Sequence, residues 1–336
     1  MLWRMAVAGR RHSAPAPNQH PVGHAAAPLL PFKAFARSKP RSGDICAFLA
    51  DFVGVGRGCR SAGLALLALV AACDCSTGRA EFEDLPQIGY KRVAVVERRS
   101  DGFTQGLAFV GNQLFESTGH YGRSRIREVD RATGQVLRTR KLPDDVFGEG
   151  LTALPSGLLM QLTWKEGRAF VWDPETLREV QLLRYEGEGW GICSAAEGVW
   201  VSDGTDTVVL RDPKTFAVLR TQQIAHHGEP VRRLNALECL PDGRLLANVW
   251  MTTWMVRIDP QTGKLDGALD LAPFDREAEN MHSAREVPNG LALEPETGHL
   301  WLTGKYWPMI FVLDLGLTAP RPGASDGHAP GATKGK

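Results

Sequence analysis

The sequence lacks an excess of charge of either sign. Its 336 residues include 39 Lys plus Arg and 38 Asp plus Glu. Binding to nucleic acid needs a basic excess on one face of the protein, so the balance argues against a nucleic-acid partner. A glycine-rich phosphate loop and a Ser/His/Asp arrangement that the repeats would bring together are also missing. The histidines, including the pair His226-His227, lack the spacing of zinc ligands, and we expect no metal site.

The sequence also lacks long hydrophobic runs near its N-terminus. The apolar run at residues 64–72 has nine residues, whereas a membrane-spanning helix needs about 20. It fits a signal h-region, and it ends in Val70-Ala71-Ala72-Cys73, which resembles a bacterial lipobox. We therefore predict an exported, periplasmic lipoprotein with Cys73 as the lipidated residue, residues 64–73 being the signal h-region and lipobox. The alternative is a chance Ala/Leu-rich stretch.

The residues before this run show no sustained periodicity. We interpret residues 1–63 as a disordered extension, or as translation from a start site placed too far upstream. Of the six cysteines, only Cys193 and Cys239 lie in the globular part of the chain. Each is predicted to be a buried free thiol, because cysteine is often a small core residue. A disulfide is allowed in an exported protein but is not required.

A repeated phrase gives the period of the fold. The pattern D-[PR]-x-T begins at Asp130, Asp173, Asp212 and Asp259, at intervals of 43, 39 and 47 residues. Each copy lies between two apolar runs, as a turn between strands would. Repeats of about 40–45 residues with four short strands each are typical of β-propeller blades. No helix of useful length is predicted to interrupt them.

A second phrase gives the number of blades. A polar or aromatic residue, a small residue and an apolar residue recur at five points, which begin at Gln105, Glu149, Trp190, Asn235 and Asn289. Such a phrase marks a strand entry where backbones pack closely. The sequence therefore predicts an all-β, five-bladed β-propeller over residues 88–315. The early strand at 91–97 is expected to complete the last blade and remove its open edge. Residues 74–87 are a predicted linker, and residues 316–336 a predicted disordered tail.

Propeller geometry then indicates a site. Residues that enter the first strand of each blade share one rim with residues that leave the second strand. The second set is Trp164, Asp203, Trp250 and Lys305. Together the two rings hold amides, aromatic side chains, a carboxylate and an ammonium group, as a small-ligand pocket requires.

Some of these residues have structural alternatives. Asp203 is predicted to be a turn residue, and Trp164, Trp301 and Trp307 could pack between blades. Glu149 between two glycines, and Lys305 among apolar residues, have no evident structural task, so we assign them to function.

Eight ordered motifs resemble those of the plant-type glutaminyl cyclases, which are five-bladed propellers. The motifs include residues 103–107, 147–151, 189–191, 235–238 and 303–307, and the resemblance covers about 88–315. It implies that Glu149 is the catalytic residue. It also implies a pocket lined by Phe103, Gln105, Phe147, Trp190, Asn235, Trp250 and Lys305. Ala236 departs from the family pattern, which usually has a larger polar residue there.

The resemblance implies a glutaminyl-peptide cyclotransferase, an acyltransferase that converts an N-terminal glutamine into pyroglutamate and releases ammonia. Glu149 would act as general acid and base, while Asn235 and Lys305 would polarise the amide oxygen. The expected partners are peptides or proteins with N-terminal glutamine. We expect a monomer, held at a membrane only by its lipid. No cofactor is expected to be required, although some plant members carry a calcium ion in the channel.

Two alternatives stay open at this point. A calcium-dependent, lactonase-type propeller hydrolase could use Glu149, Asn235, Asn289 and Asp203 as ligands, but Lys305 in the same ring would oppose a divalent cation. A non-catalytic propeller scaffold would instead show wide apolar or charged patches on its rim.

Overall fold

The computed structural model describes residues 81–98, 102–281 and 287–317. The chain divides into two compact units, 1–71 and 72–336, and every described residue belongs to the second. The predicted extension, the signal segment with Cys73, and residues 318–336 of the predicted tail therefore lie outside the described residues. The predictions for them stay predictions.

The described chain forms five blades, and each contains an antiparallel sheet of four strands. Strand β1 (Lys91–Glu97) comes first. Blade one contains β2 (Thr104–Val110), β3 (Gln113–Thr118), β4 (Arg125–Val129) and β5 (Val136–Lys141). Blade two contains β6 (Gly148–Ala153), β7 (Leu159–Thr163), β8 (Arg168–Trp172) and β9 (Glu179–Arg184). Blade three contains β10 (Ile192–Ala195), β11 (Gly198–Ser202), β12 (Thr207–Arg211) and β13 (Val218–Gln223).

The last two blades carry additions to this plan. A short hairpin of β14 (Ala225–His226) and β15 (Glu229–Pro230) precedes blade four. Blade four contains β16 (Leu234–Cys239), β17 (Leu245–Val249), β18 (Trp254–Asp259) and β19 (Lys264–Asp270). Helix α1 (Ala272–Met281) follows, and blade five contains β20 (Pro288–Leu293), β21 (Leu300–Gly304) and β22 (Met309–Asp314).

Strand β1 supplies the fourth strand of blade five, which confirms the predicted closure. It pairs antiparallel with β22 from Lys91 opposite Asp314 to Glu97 opposite Met309. Directly after β1, the buried side chain of Arg98 bonds to Glu116 of blade one and, at 3.2 Å, to the Thr303 hydroxyl of blade five. The junction between the first and last blades is therefore held by backbone pairing and by a buried charged group.

The two repeated phrases have the roles that the sequence predicted. The Asp130 carboxylate accepts hydrogen bonds from the backbone N–H and the hydroxyl of Thr133, at 2.8 and 2.9 Å, in the turn between β4 and β5. At the strand entries, a Cβ added to Gly106, Gly150 or Gly191 would overlap the backbone of the next blade. Close packing of the five first strands around the axis explains the recurrent small residue.

Part of the predicted linker is folded, which corrects the boundary of the propeller. Phe82 is 1% exposed and packs against Trp254 of blade four, with ring centroids 6.1 Å apart. Gln87 forms a parallel bridge with Ala268 of β19. Leu317, in the predicted tail, also packs against the core. These isolated apolar residues lie among polar ones, so no periodicity marked them as part of the domain.

Helix α1 corrects the expectation that no helix interrupts the blades. It buries Phe274 and Ala278, one turn apart, and the Phe274 ring lies 4.9 Å from that of Phe311 in blade five. Half of its ten residues are polar, and they lie between the apolar ones, so the apolar stripe is short. In the part of the chain that the structure describes, no helix is long and apolar enough to cross a membrane.

The two cysteines of the propeller form a disulfide, so the prediction of free thiols was wrong. Cys193 in β10 is bonded to Cys239 in β16, and their Cα atoms are 5.4 Å apart. The bond joins the first strands of blades three and four. The sequence placed the cysteines in neighbouring blades, but the distance between them depends on how the two strands are offset along the axis.

We expect the double variant Cys193→Ala/Cys239→Ala to be less stable than the parent by about 2–4 kcal/mol, because the bond restricts the unfolded chain. Urea unfolding should show a lower midpoint for the variant. Dithiothreitol should lower the midpoint of the parent and leave that of the variant unchanged. Identical midpoints for parent and variant, with and without reductant, would show that the bond adds no stability.

Candidate active site

The strand entries surround a cavity of about 200 Å³ at one end of the central channel. Nine residues line it: Phe103, Gln105, Phe147, Glu149, Trp164, Trp190, Asn235, Trp250 and Lys305. The structure thus brings together all eight propeller residues that were assigned catalytic or substrate-binding roles, together with Trp164 from the predicted outer ring. Glu149 and Asn235 lie on first strands, whereas Trp164, Trp250 and Lys305 follow second strands.

A chain of amides orients the Glu149 carboxylate. Gln105 Nε2 donates to Glu149 Oε1 at 2.8 Å, and Asn289 Nδ2 donates to Gln105 Oε1 at 2.6 Å. Glu149 is only 5% exposed. Asn289, which the sequence placed in the inner ring, therefore lies behind Gln105 and does not line the cavity. The hydrogen bond from Gln105 therefore fixes one of the two oxygens of the Glu149 carboxylate.

Burial raises the pKa of Glu149 well above its ordinary value, and the Lys305 ammonium opposes this shift. The carboxylates of Glu166 and Glu188 raise the pKa of Glu149 further, because a second negative charge nearby disfavours ionisation. A carboxyl group with a raised pKa can both accept and donate a proton near neutral pH. The electrostatics of the cavity therefore suit acid–base chemistry at Glu149.

Lys305 places an ammonium group against aromatic walls. Its Nζ lies 4.8 Å from the centroid of the Phe103 ring and 5.7 Å from that of Trp250. The side chain is 7% exposed. Cation–π attraction stabilises the charge where little water reaches it, so Lys305 presents a positive charge to any molecule that enters the cavity.

Asn235 offers a polar group without a protein partner. Its backbone oxygen accepts a hydrogen bond from Ser202 Oγ at 2.9 Å. Its side-chain Oδ1 is buried and has no hydrogen-bond partner among the described residues. Buried polar atoms are normally paired, so this oxygen is available as an acceptor to a bound ligand.

The sequence missed two carboxylates at the mouth of the cavity. Glu188 Oε2 accepts hydrogen bonds from the indole N–H groups of Trp164, at 2.7 Å, and Trp190, at 2.9 Å. Glu166 accepts from the Tyr121 hydroxyl at 2.7 Å and from the Phe147 backbone N–H at 3.2 Å. Glu188 thereby fixes two aromatic walls. Its place two residues before Trp190 was the only signal available in the sequence.

His120 was also missed, because it lies in the longer loop of blade one that has no counterpart in the other repeats. Its ring lies 4.3 Å from that of Phe103, and its Nε2 lies 2.7 Å from the Tyr306 hydroxyl. Burial lowers the pKa of His120, and the charges of Arg123 and Lys305 lower it further. The imidazole is therefore neutral at pH 7 and supports the aromatic wall next to Lys305.

Comparison with known proteins identifies the family. The family model described as glutamine cyclotransferase matches residues 64–315. The chain belongs to the glutamine cyclotransferase family. It is 36% identical over 234 residues to the glutaminyl-peptide cyclotransferase of Arabidopsis thaliana, which covers 69% of this chain and 72% of that protein. It is also similar to the crystal structure of Myxococcus xanthus glutaminyl cyclase, with a TM-score of 0.62, 33% identity, and coverage of 67% of this chain and 95% of that chain.

The four ligands that a calcium-dependent lactonase would need do not converge in this chain. Asp203 Oδ1 accepts from the backbone N–H of Thr205 at 2.9 Å, as a turn residue does, and Asp203 does not line the cavity. Glu149 is the only carboxylate among the lining residues, and Lys305 lies in the same space. A divalent cation in this cavity would face an ammonium group with one carboxylate for compensation.

Two of the tryptophans that the sequence singled out, Trp301 and Trp307, have structural roles. Trp301 packs edge-to-face against Phe109 of blade one, with ring centroids 5.4 Å apart. Trp307 packs against Phe311 at 5.8 Å. Trp164 is different, since it lines the cavity and bonds to Glu188.

Proposed function

We propose that this protein converts the N-terminal glutamine of peptides or proteins into pyroglutamate and releases ammonia. The observation that carries this proposal is one small, aromatic-walled cavity that contains a buried carboxyl group, an ammonium group and an amide whose oxygen has no partner among the described residues. Membership of the glutamine cyclotransferase family supports the same reaction. A cavity of about 200 Å³ suits a single glutamine residue, with the rest of the peptide outside the mouth.

The aromatic walls would hold the substrate in its reactive shape. Cyclisation requires the glutamine side chain to fold back until its carboxamide carbon meets its own α-amine. Phe103, Trp190 and Trp250 form apolar walls around the cavity, and the Trp190 and Trp250 rings meet edge-to-face at 5.5 Å. Confining the side chain between them favours the folded conformation and so reduces the entropy lost on the way to the transition state.

Glu149 would move the protons in the reaction. The α-amine nitrogen attacks the carboxamide carbon, and Glu149 accepts a proton from that amine as the new C–N bond forms. It then donates the proton to the amide nitrogen, so that the original C–N bond breaks and ammonia leaves. In between, negative charge develops on the carboxamide oxygen. Lys305 and the Asn235 NH₂ group would stabilise this charge by donating hydrogen bonds.

The test is an assay of the purified full chain with a peptide that begins with glutamine. Mass spectrometry should detect the loss of one ammonia from each peptide. The same peptide with an acetylated N-terminus should not react, because its α-nitrogen is no longer nucleophilic. Activity that persists after chelation would separate this proposal from a calcium-dependent hydrolase. No reaction with any glutamine-initiated peptide would contradict it.

We expect Glu188→Gln to move the acid limb of the pH profile to lower pH. The charges that act on the Glu149 carboxyl are those of Lys305, Glu166 and Glu188, and the charge of Glu188 raises its pKa. Removing that charge lowers the pKa, so Glu149 stays ionised to lower pH, and activity that needs the ionised base persists there. Glutamine keeps an oxygen that can accept from both indoles.

The measurement is kcat/KM as a function of pH, which reports the ionisation of the free enzyme. The matched control is Glu197→Gln, since this exposed carboxylate lies in the turn after β10, at the far end of the first strand. It should leave the acid limb unchanged. If the acid limb of the Glu188→Gln pH profile lies at the same pH as that of the parent, or at higher pH, the proposed electrostatic role of Glu188 is wrong.

We also propose export and lipid attachment at Cys73, on the sequence grounds given above. In a bacterial host, Cys73→Ser should release the protein from the membrane fraction. Cys75→Ser, two residues further along the chain, is the matched control and should leave the protein in that fraction. Membrane fractionation that is the same for Cys73→Ser and the parent would exclude the anchor.

A further inference from the structure

Two separate segments cover the outer edge of blade four. At one end of β19, β14 lies parallel to it, and the Ala225 N–H donates to the Gly263 oxygen at 3.0 Å. At the other end, the backbone of Ile88 donates to the Ala268 oxygen at 2.7 Å, and the Ala268 N–H donates to the Pro86 oxygen at 3.0 Å. The edge of this sheet is therefore blocked by the segment that precedes β1 and by the β14–β15 hairpin.

Three metal-ligating side chains meet where these two segments approach each other. His226 Nε2 lies 3.0 Å from Asp84 Oδ1, and His227 Nε2 lies 2.5 Å from Asp84 Oδ2. One ligand atom from each residue lies within 4.8 Å of the others. Asp84 comes from the segment before β1, while both histidines come from the hairpin. Among the described residues, this is the only place where three such side chains converge.

The hairpin turn brings two consecutive histidines to one side. Neighbouring residues on a strand normally point to opposite faces of the sheet. His227 instead has a φ of 51° and is followed by Gly228 at 85°, so the backbone turns immediately after His226. The two imidazole rings then lie only 4.1 Å apart between centroids. A left-handed conformation is uncommon for a residue other than glycine, and here it directs a second imidazole at the Asp84 carboxylate.

We propose that Asp84, His226 and His227 form a binding site for a divalent transition-metal ion, with Zn²⁺ as the best match. Two imidazoles and one carboxylate are ligands that Zn²⁺ accepts, with a fourth position left for water or another group. At Zn–ligand bonds of about 2.0–2.1 Å, ligand atoms in a tetrahedron lie about 3.3 Å apart. The observed O–N distances, 3.0 Å to Asp84 Oδ1 and 2.5 Å to Asp84 Oδ2, and the 4.8 Å limit on the separation of the three ligand atoms lie on either side of this value. Small side-chain movements would therefore admit the ion.

Two of the three side chains are exposed enough to make these movements. The side chains of Asp84 and His227 are 48% and 74% exposed, so they can move outward, whereas His226 is 15% exposed. The His226 ring also packs against the buried Phe82 ring, with centroids 6.0 Å apart. The site therefore has one fixed ligand, His226, and two ligands that can move, and ions can reach it from solvent.

The ion would act as a structural clamp. The cluster lies at the outer edge of blade four, whereas the catalytic cavity lies at the central channel, so the ion would take no part in the proposed reaction. It would join parts of the chain that are 142 residues apart in sequence. This separation explains why the spacing of histidines in the sequence gave no sign of a site. An ion that binds only the folded state raises its stability by mass action.

The test uses the untagged full chain, stripped with EDTA and dialysed, and titrated with ZnCl₂ in a calorimeter. The variants are His226→Ala/His227→Ala and, in case the first disturbs the hairpin, Asp84→Asn, which keeps the size of the side chain. Each variant should bind one equivalent of Zn²⁺ less than the parent, or bind that equivalent at least about 100-fold more weakly. Loss of contacts that only support the ligands lowers metal affinity by about 10–100-fold. The control His299→Ala, in the β20–β21 turn, should bind as the parent does.

Cobalt provides a second readout, because the cysteines of the chain could also bind metal. Co²⁺ bound to imidazole and carboxylate absorbs in the visible range but lacks the intense near-ultraviolet charge-transfer band of a thiolate complex. The parent should show such a spectrum, and the double variant should lose it. Zinc should raise the melting temperature of the parent but not of the variants. The proposal is overturned if parent, double variant and Asp84→Asn bind the same number of equivalents with the same affinity.

Discussion

Replacement of Glu149 by glutamine is expected to lower kcat by about 10²–10⁴-fold, the usual contribution of general acid–base catalysis. Glutamine matches glutamate in size, so the walls of the cavity and its hydrogen bond with Gln105 can be retained. It cannot accept a proton from the α-amine or return one to the leaving ammonia. The loss should therefore appear in kcat, with KM little changed, since binding of the substrate does not depend on that proton.

The chain offers a matched control for this variant. Glu238 is a second carboxyl group on a first strand, half-buried in β16, and partial desolvation raises its pKa to about 8. It does not line the catalytic cavity. Glu238→Gln should therefore retain nearly the parent rate, although it makes the same chemical change at another carboxyl group with a raised pKa. If Glu149→Gln cyclises peptides as fast as Glu238→Gln does, Glu149 is not the acid–base group. Rescue of Glu149→Gln by added calcium would instead favour a metal-dependent hydrolase.

A chain that starts at Arg98 is expected to lose its cooperative unfolding transition. It lacks β1, so β22 becomes an open edge of blade five and loses the pairing that runs from Asp314 to Met309. The neighbouring strands are almost wholly buried, and an unpaired edge next to them invites association with other chains. Thermal unfolding followed by circular dichroism should show a broad transition or aggregation instead of a single sharp step.

A longer chain separates the effect of β1 from that of the segment before it. A chain that starts at Ile88 keeps β1 but lacks Phe82 and Leu85, which pack against blade four. Full burial of one large apolar side chain contributes about 1.5–3 kcal/mol, so this chain should unfold at a lower temperature but still in one step. If the chain that starts at Arg98 melts at the same temperature as the one that starts at Ile88, β1 is not needed for closure.

The features that the sequence predicted well depend on short-range contacts within each repeat. The turn at Asp130 depends on a carboxylate that accepts a hydrogen bond from the backbone N–H three residues later. The close approach of neighbouring strands at Gly150 depends on the absence of a Cβ. Both signals recur with the blades, so they fix the number and order of the strands. Because all first strands begin on one rim, the sequence alone places Glu149 and Asn235 around one axis.

The features that the sequence did not predict lie outside the repeat. Glu188 and His120 lie in loops whose lengths differ between blades, so no alignment of the repeats compares them. The bond between Cys193 and Cys239 depends on the offset between two neighbouring strands, which hydrophobic patterning does not encode. The meeting of Asp84 with the two histidines depends on where a segment before the first strand returns to the fold. In each case the missing information is long-range geometry rather than residue type.

The closure of the ring by β1 and β22 also sets an order for events during synthesis. Ribosomes make β1 first, and its partner comes only after the other four blades have been translated. A domain generally folds as a unit, and β1 cannot pair with β22 while blades one to four are being made. Joining strands so distant in sequence is intrinsically slow. A nascent chain of this protein therefore carries an open strand throughout translation, and the finished ring forms only after its last blade has been made.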